Sequence, residues 1–290
     1  MLLGIVGITH SVAVAQRIAL TALAVSAVCL PLVGCGDPWG SFERKTLNPG
    51  VRSAATPADV GLKFERISIP SGPRKLDAFL VRADPSCLRT AAVLIFHGRG
   101  ETVGDWIRAQ GRLHQDCISS IIFDYSGHGR SSPPGTIDTL NADAVAAFRY
   151  FQAAFPKSER RCSLSHSLGG GPMLYAATTI GTAPDCVVIA SPFSSLRDMA
   201  VRDGMPKWFS AFMPDVWDNV KMVANLKVPL LWIHSRTDAT VPLPFGQAVY
   251  DADRRAKTAV ILTGFNHNAI YEKTPKDIWA PIADFILHKK

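Results

Sequence analysis

Several patterns that define large protein classes are missing from this 290-residue sequence. It has no internal repeat, no phosphate-binding P-loop string, no HExxH zinc-protease string and no cysteine pair at metal-ligand spacing. Charged residues make up only 19% of the chain, and its 31 Lys and Arg residues are scattered without interleaved aromatics. A net charge of +7 spread in this way indicates a solvated basic surface rather than a nucleic-acid platform. We therefore expect no metal, no cofactor and no nucleic-acid partner.

The N-terminal segment is almost free of charge. Arg17 is the one charged residue before position 35, and the apolar residues 18–34 follow it directly. This run is shorter than the roughly 20 residues that a spanning helix needs, and it is typical of a secretory signal. Residues 32–35, Leu-Val-Gly-Cys, resemble the lipobox of bacterial lipoproteins. We expect a lipoprotein signal peptide at 1–34, a lipid-modified Cys35 and a tether over 35–61; an uncleaved membrane anchor and ordinary signal cleavage are the alternatives.

Beyond residue 61 apolar runs alternate with helical stretches. Residues 64–69 and 76–81 alternate in polarity around a Pro-Ser-Gly-Pro turn, which predicts a hairpin. Continuous apolar runs are typical of central parallel strands covered on both faces. The predicted strands are 91–96, 119–125, 161–165, 186–190, 229–234 and 259–262, and the predicted helices are 105–115, 137–155, 168–178, 244–255 and 281–288. We expect an α/β fold with a doubly wound, mostly parallel sheet over residues 62–290.

Residues 196–226 interrupt this alternation. They carry four methionines, two tryptophans and two phenylalanines, and they are too long and too apolar for a plain connection. Two interpretations fit equally well: a small helical cap over a pocket, or one amphipathic helix packed with its flanks on the sheet.

Residues 165–169 read Ser-His-Ser-Leu-Gly between a predicted strand and a predicted helix. The string looks like a nucleophile elbow, the sharp turn that presents a serine hydroxyl for acyl transfer. This turn crowds the positions two before and two after the nucleophile, so both need small residues; Gly169 meets that need, and Ser165 stands where glycine is usual. A Ser/Gly loop without chemistry would give the same string, so catalysis by Ser167 requires partners elsewhere in the chain.

An acid and a base follow the elbow in the order that such a serine needs. Asp238 comes just after the predicted strand 229–234, and His267 lies in a loop after the last predicted strand, at the same edge of the sheet. An imidazole can accept the serine proton while a carboxylate holds its tautomer. The other histidines are weaker candidates: His97 fits a structural or oxyanion-loop role, and His166, next to the serine, is expected to be structural.

Taken together, these motifs resemble the α/β-hydrolase superfamily over residues 62–290. The residues that carry the resemblance are 96–98, 124–132, the elbow, 191–200, Asp238 and His267. The stretch 191–200 is similar to the branch of monoacylglycerol and lysophospholipid lipases, depalmitoylases and serine-aminopeptidase-like hydrolases. The resemblance implies a Ser167, Asp238 and His267 triad and an oxyanion hole formed by the backbone N–H groups of Leu168 and Arg99.

Four cysteines follow Cys35, at positions 87, 117, 162 and 186, each at or near the start of a predicted strand. An even number in an exported chain favours disulfides, and free buried thiols are the alternative. The strand order that the resemblance implies, with the third strand between the fourth and fifth, favours the pairs Cys87 with Cys117 and Cys162 with Cys186.

The predicted function is hydrolysis of carboxylic acyl esters through an acyl-enzyme. A thioesterase or a lysophospholipid or monoacylglycerol lipase is the alternative within the same chemistry. A catalytically inactive α/β-hydrolase fold that serves as an envelope binding protein is the alternative from another class. A dinucleotide-binding site at Gly98 and Gly100 is a weak fit because the third glycine, Gly104, comes one position late. We expect a lipid-anchored protein of the bacterial cell envelope, facing away from the cytoplasm, that acts on a small-molecule or lipid acyl ester.

Overall fold

A computed structural model describes residues 40, 43, 47–49, 53–88, 90–155, 160–181, 183–214, 216–255 and 257–288. The predicted signal peptide and Cys35 lie outside the described residues. Eight strands of the described chain form one sheet: β1 Glu65–Ser71, β2 Arg74–Val81, β3 Ala91–Phe96, β4 Ile118–Phe123, β5 Arg160–His166, β6 Cys186–Ala190, β7 Leu230–Ser235 and β8 Lys257–Leu262. Their order is β1-β2-β4-β3-β5-β6-β7-β8.

The sheet is parallel from β4 to β8, and only the β1–β2 hairpin and the β2–β4 pair are antiparallel. Every residue of β3, β4, β6 and β7 is buried. Because successive side chains of a strand point to opposite faces, complete burial requires cover on both faces of the sheet. The predicted α/β fold with a doubly wound, mostly parallel sheet is therefore confirmed.

Nine α-helices connect or follow these strands within the described residues: α1 Ile107–Gln115, α2 Ile137–Ala154, α3 Gly170–Thr179, α4 Leu196–Arg202, α5 Lys207–Ser210, α6 Asn219–Ala224, α7 Leu243–Ala252, α8 Ala269–Glu272 and α9 Lys276–Leu287. The predicted start of the last helix at residue 281 was wrong, because α9 begins at Lys276 and contains Pro281. Trp279, in its first turns, is fully buried and donates a hydrogen bond to the Ile270 carbonyl at 2.7 Å. Tertiary packing thus extends the helix ahead of its proline.

The segment 196–226 folds into the three short helices α4, α5 and α6 rather than one amphipathic helix. Trp217 packs so closely on the helix after the elbow that a Cβ on Gly171 would lie 2.5 Å from its ring. Asn219 donates to the Phe193 carbonyl at 2.8 Å, which fixes the start of α6. Trp208 and Phe212, in contrast, are 71% and 78% exposed, so this apolar segment is only partly buried.

Residues N-terminal to the predicted domain start contact the domain. Leu47 is fully buried, and Asn48 donates to the Gly135 carbonyl at 2.9 Å and accepts from the Gly135 N–H at 2.7 Å. Pro57–Val60 forms a 3₁₀ turn. Described residues between 43 and 61 therefore pack on the domain. The start of the domain at residue 62 stays a prediction.

Two disulfides fasten the edge of the sheet where the parallel strands begin. Cys87 is bonded to Cys117 and Cys162 to Cys186, with Cα atoms 5.8 and 4.7 Å apart. Cys162 and Cys186 are register partners on adjacent parallel strands. This is the pairing that the strand order implied.

Candidate active site

Ser167 stands at the turn from β5 into α3. β5 ends at His166, a 3₁₀ turn covers Ser167–Gly169, and α3 begins at Gly170. Ser167 has φ of 51°, in the left-handed region that costs a non-glycine residue energy and is sparsely populated. Strain of this kind at the carboxyl end of a central strand is the conformation expected of a nucleophile elbow.

The structure explains why the residue two positions after the serine, Gly169, must be small. A Cβ on Gly169 would lie 2.1 Å from the Phe96 carbonyl oxygen and 2.7 Å from that of His97. The end of β3 therefore passes directly against the elbow. Only glycine allows this approach, which brings the loop after β3 beside Leu168.

That loop is folded by Glu101. The Glu101 N–H donates to the Gly98 carbonyl at 3.4 Å, and the Gly98 N–H donates to Glu101 Oε2 at 2.7 Å. Arg99 and Gly100 form the tip of the turn, with Gly100 at φ of 74°. Arg99 is exposed, and Leu168 is buried at the start of the 3₁₀ turn. The two predicted oxyanion donors thus lie on chain segments that contact each other.

Asp238 and His267 form a hydrogen-bonded pair. His267 Nδ1 lies 2.7 Å from Asp238 Oδ2, and the side chains are 9% and 0% exposed. Asp238 Oδ1 accepts from the backbone N–H groups of Thr240 and Val241, each at 2.9 Å. The turn after β7 therefore fixes the carboxylate, and the carboxylate in turn fixes Nδ1 of the imidazole. The other ring nitrogen, Nε2, is not used in this contact and is the one that could accept a proton.

Burial and neighbouring charges set the protonation of this pair. Burial lowers the pKa of His267, the bond to Asp238 opposes this, and the nearby positive charge of His166 lowers it further, so the net pKa is below the ordinary value. Burial raises the pKa of Asp238, but the hydrogen bond and charge of His267 and the bonds from Val241 and Ser191 bring its net pKa below the ordinary value. Near neutral pH the imidazole is neutral and the carboxylate is ionised, the states that a general base and its orienting acid need.

A second acid and histidine pair lies behind the first. Glu101 Oε1 is 2.8 Å from His166 Nδ1, and His166 Nε2 is 3.0 Å from the His267 carbonyl oxygen. Both ring nitrogens of His166 have partners, as expected of a structural histidine. Glu101 was missed, because 65 residues separate it from His166 and no sequence pattern links the two.

Two further buried histidines, His97 and His234, each have one ring nitrogen within hydrogen-bond distance of a backbone carbonyl. His97 is fully buried and its Nδ1 lies 2.9 Å from the Gly98 carbonyl, which fits the structural role considered for it. His234 Nε2 lies 2.8 Å from the Val241 carbonyl, and burial lowers its pKa. Within the described ranges no group of three His, Cys, Asp or Glu residues could hold a metal ion. No helix in that part of the chain is long and apolar enough to cross a membrane.

Comparisons with known proteins show what the chain is similar to. The family model described as "Serine aminopeptidase, S33" matches residues 89–222. Human protein ABHD12B is 28% identical over 170 residues, which cover 51% of this chain and 47% of the relative. Human alpha/beta hydrolase domain-containing protein 17B is 24% identical over 201 residues, or 68% of this chain and 66% of the relative. The chain thus spans about half to two thirds of the length of these relatives.

Solved structures show the same fold. The esterase Pf2001 of Pyrococcus furiosus superposes with a TM-score of 0.64 at 19% identity, over 83% of this chain and 97% of that one. Est1E of Butyrivibrio proteoclasticus, solved with ferulic acid bound, has a TM-score of 0.63 at 19% identity, over 76% of this chain and 98% of that one. The strand order and these neighbours show that the chain has an α/β-hydrolase fold. Over residues 89–222 the chain is similar to the hydrolases that the serine aminopeptidase S33 family describes, and it resembles two human proteins of which one is named an alpha/beta hydrolase domain-containing protein.

Proposed function

We propose that this protein is a serine hydrolase that cleaves carboxylic acyl esters through a triad of Ser167, His267 and Asp238. One observation carries the proposal: the strained elbow and the loop of the base are joined directly. His166, which precedes Ser167 in the chain, lies within hydrogen-bond distance of the His267 carbonyl at 3.0 Å, and the two imidazole rings are 4.6 Å apart. This arrangement supports a serine and a base that act on one substrate.

In the proposed reaction, His267 Nε2 accepts the Ser167 proton while Oγ attacks the ester carbonyl carbon. The backbone N–H groups of Leu168 and Arg99 stabilise the tetrahedral oxyanion, each contributing about 10²–10³-fold in rate. His267 then donates the proton to the leaving alcohol, and an acyl-enzyme forms. Water, activated by the same imidazole, hydrolyses the acyl-enzyme. Asp238 holds His267 Nδ1–H and stabilises the imidazolium.

The test is a panel of p-nitrophenyl esters of increasing acyl length plus one thioester, assayed on the wild type and on Ser167→Ala. We expect Ser167→Ala to abolish hydrolysis and fluorophosphonate labelling. Full labelling of Ser167→Ala would remove this serine from the mechanism. A preference for long acyl chains would indicate a lipase, and a preference for the thioester would indicate a thioesterase. A folded wild type that neither hydrolyses nor labels would indicate the inactive binding protein.

We also propose that Cys35 is lipid-modified and that the protein is anchored to a bacterial membrane on its extracytoplasmic side. The sequence of residues 18–35 supports this, since it combines a short apolar run with a lipobox-like cysteine. Acyl chains contribute about 0.8 kcal/mol per buried CH₂, so two or three of them hold a protein on a bilayer without a spanning helix. Cys35→Ala should move the protein from the membrane fraction to the soluble fraction. An unchanged membrane fraction would contradict the lipid anchor.

A further inference from the structure

Glu101 and His166 form a buried pair that the proposed triad does not use. Their side chains are 7% and 0% exposed. Glu101 is fully engaged, because its Oε1 meets His166 Nδ1 at 2.8 Å while its Oε2 accepts from the Gly98 N–H at 2.7 Å and from Trp106 Nε1 at 2.8 Å. Three hydrogen-bond partners compensate the cost of burying this carboxylate, so it is not an unpaired buried charge.

The partners of His166 define its protonation. Nδ1 faces a carboxylate oxygen and Nε2 faces the His267 carbonyl oxygen, and a carbonyl can only accept. Both bonds form together only when the pair holds one proton more than a neutral imidazole and a carboxylate have between them. Burial lowers the pKa of His166, but the charge and hydrogen bond of Glu101 and the His267 carbonyl raise it above the ordinary value. Below this raised pKa the ring is an imidazolium.

This imidazolium connects the two chain segments that must meet. It directly precedes Ser167 on β5, and its Nε2–H reaches the main chain of His267, 101 residues further along. Aromatic rings enclose it, with Tyr271 at 5.6 Å and Trp106 at 6.0 Å between ring centroids. Trp106 and Tyr271 stack on each other at 5.4 Å, so the ring has little freedom to turn.

We propose that Glu101 and His166 are positioning residues that fix the loop of the general base His267 against the nucleophile elbow. This inference rests on the proposed triad and adds to it a second acid and histidine pair that touches no substrate. The expected consequence is a loss of kcat, because a base displaced by about 1 Å costs on the order of 10²-fold in rate.

The pair also acts on the charge of the base. The titratable groups that interact with His166 or its carboxylate lie on three parts of the sheet edge and on the loop of the base: Glu101 and His97 from the loop after β3, Tyr125 after β4, His234 at the end of β7 and Asp238 in the turn that follows, and His267 itself. The positive charge of His166 opposes protonation of His267 more strongly than Glu101 favours it. Neutralising the pair should therefore raise the pKa of His267.

Two variants separate position from charge. His166→Phe keeps a ring but removes the donor to the His267 carbonyl, and we expect kcat to fall about 10- to 100-fold with little change in KM. Glu101→Gln can keep every hydrogen bond, because its amide can donate to Nδ1 and leave a neutral His166 with Nε2–H. We expect Glu101→Gln to lose less of kcat than His166→Phe and to shift the acid limb of the kcat/KM profile to higher pH.

The matched control is Asp143→Asn, which also removes a fully buried carboxylate but lies in α2, bonded to Ser71 at 2.6 Å. It should lower the unfolding temperature without moving the acid limb. A folded His166→Phe with wild-type kcat, or a Glu101→Gln profile that coincides with the wild type, would overturn the inference. If His166→Phe fails to fold, the Glu101→Gln profile decides alone.

The outcome is separable from that of the proposed function. If Ser167→Ala keeps hydrolysis and labelling, the triad itself is refuted. If Ser167→Ala is inactive while both pair variants behave like the wild type, only the positioning role is refuted.

Discussion

Asp238 Oδ2 lies 2.7 Å from Nδ1 of His267, while its other oxygen accepts two backbone N–H bonds from Thr240 and Val241. The carboxylate is thus fixed by its own turn before it contacts the imidazole. The tautomer of His267 with a proton on Nδ1 follows from this contact, because an ionised carboxylate can only accept.

Asp238→Asn tests this contact. The amide can present its N–H₂ to Nδ1 and so favour the tautomer with a proton on Nε2, which cannot accept the serine proton. We expect kcat to fall about 10³- to 10⁴-fold, measured with the preferred ester. Asp253→Asn, another buried carboxylate that pairs with Arg255 at 2.9 Å, serves as the control and should keep wild-type kcat. Equal activity of Asp238→Asn and the wild type would exclude Asp238 as the orienting acid.

The pH dependence of the proposed hydrolysis follows from its proposed base, His267. Because the pKa of His267 lies below its ordinary value of 6.5, activity should persist below pH 6.5 and fall only as the imidazole gains a proton at lower pH. The pKa of Asp238 is also lowered, so the carboxylate stays ionised over this range. The measurement is kcat/KM of a neutral ester from pH 4 to 8. An acid limb centred above pH 6.5 would contradict the assignment of His267 as the base.

The unfolding temperature should depend on pH through the buried pair of Glu101 and His166. The pKa of Glu101 is lowered on folding, so its contribution is present above 4.5 and is lost as the pH falls through the folded pKa. The pKa of His166 is raised, so its contribution is complete below 6.5 and is lost as the pH rises through the folded pKa. The difference in unfolding temperature between the wild type and Glu101→Gln should therefore be largest between pH 4.5 and 6.5. A difference that does not vary with pH would indicate packing rather than ionisation.

Gly169 and Gly170 offer a matched pair of alanine substitutions. A Cβ at Gly169 would lie 2.1 Å from the Phe96 carbonyl, whereas one at Gly170 would have Asn219 Nδ2 as its nearest neighbour, at 3.6 Å. We expect Gly169→Ala to lose at least about 2 kcal/mol of unfolding free energy, since backbone must move, and Gly170→Ala to change it by less than about 1 kcal/mol. Chemical denaturation measures both. Equal effects would show that the elbow can relax.

Ser165 is predicted to be a stability defect. Its hydroxyl is buried and has no hydrogen-bond partner within the described part of the protein. Ser165→Ala should raise the unfolding free energy by about 1 kcal/mol, because it removes an unsatisfied polar group without opening a large cavity. Ser131→Ala is the opposite control, since Ser131 Oγ donates to the Asp124 carbonyl at 2.7 Å and accepts from Asp77 N–H at 2.9 Å. A loss of stability in Ser165→Ala would reveal a hidden partner.

Local patterns predicted much of this molecule. The apolar runs predicted the six strands from β3 to β8 within a few residues. The reason is clearest for β3, β4, β6 and β7, which are wholly buried, since a strand covered on both faces requires a largely apolar sequence. The spacing of Ser167 and Gly169 predicted the elbow, because backbone crowding acts between near neighbours. Only the three-dimensional structure showed that the end of β3 passes against Gly169.

The sequence by itself determined the order of Ser167, Asp238 and His267 along the chain and the strands that precede them, because periodicity and turn residues act locally. Tertiary structure alone decided that residues 196–226 form three short helices, that α9 begins before Pro281, and that Glu101 pairs with His166. Each of these depends on contacts between distant chain segments. Packing energy and the burial of charge are properties of the assembled chain, and no short window of sequence contains them.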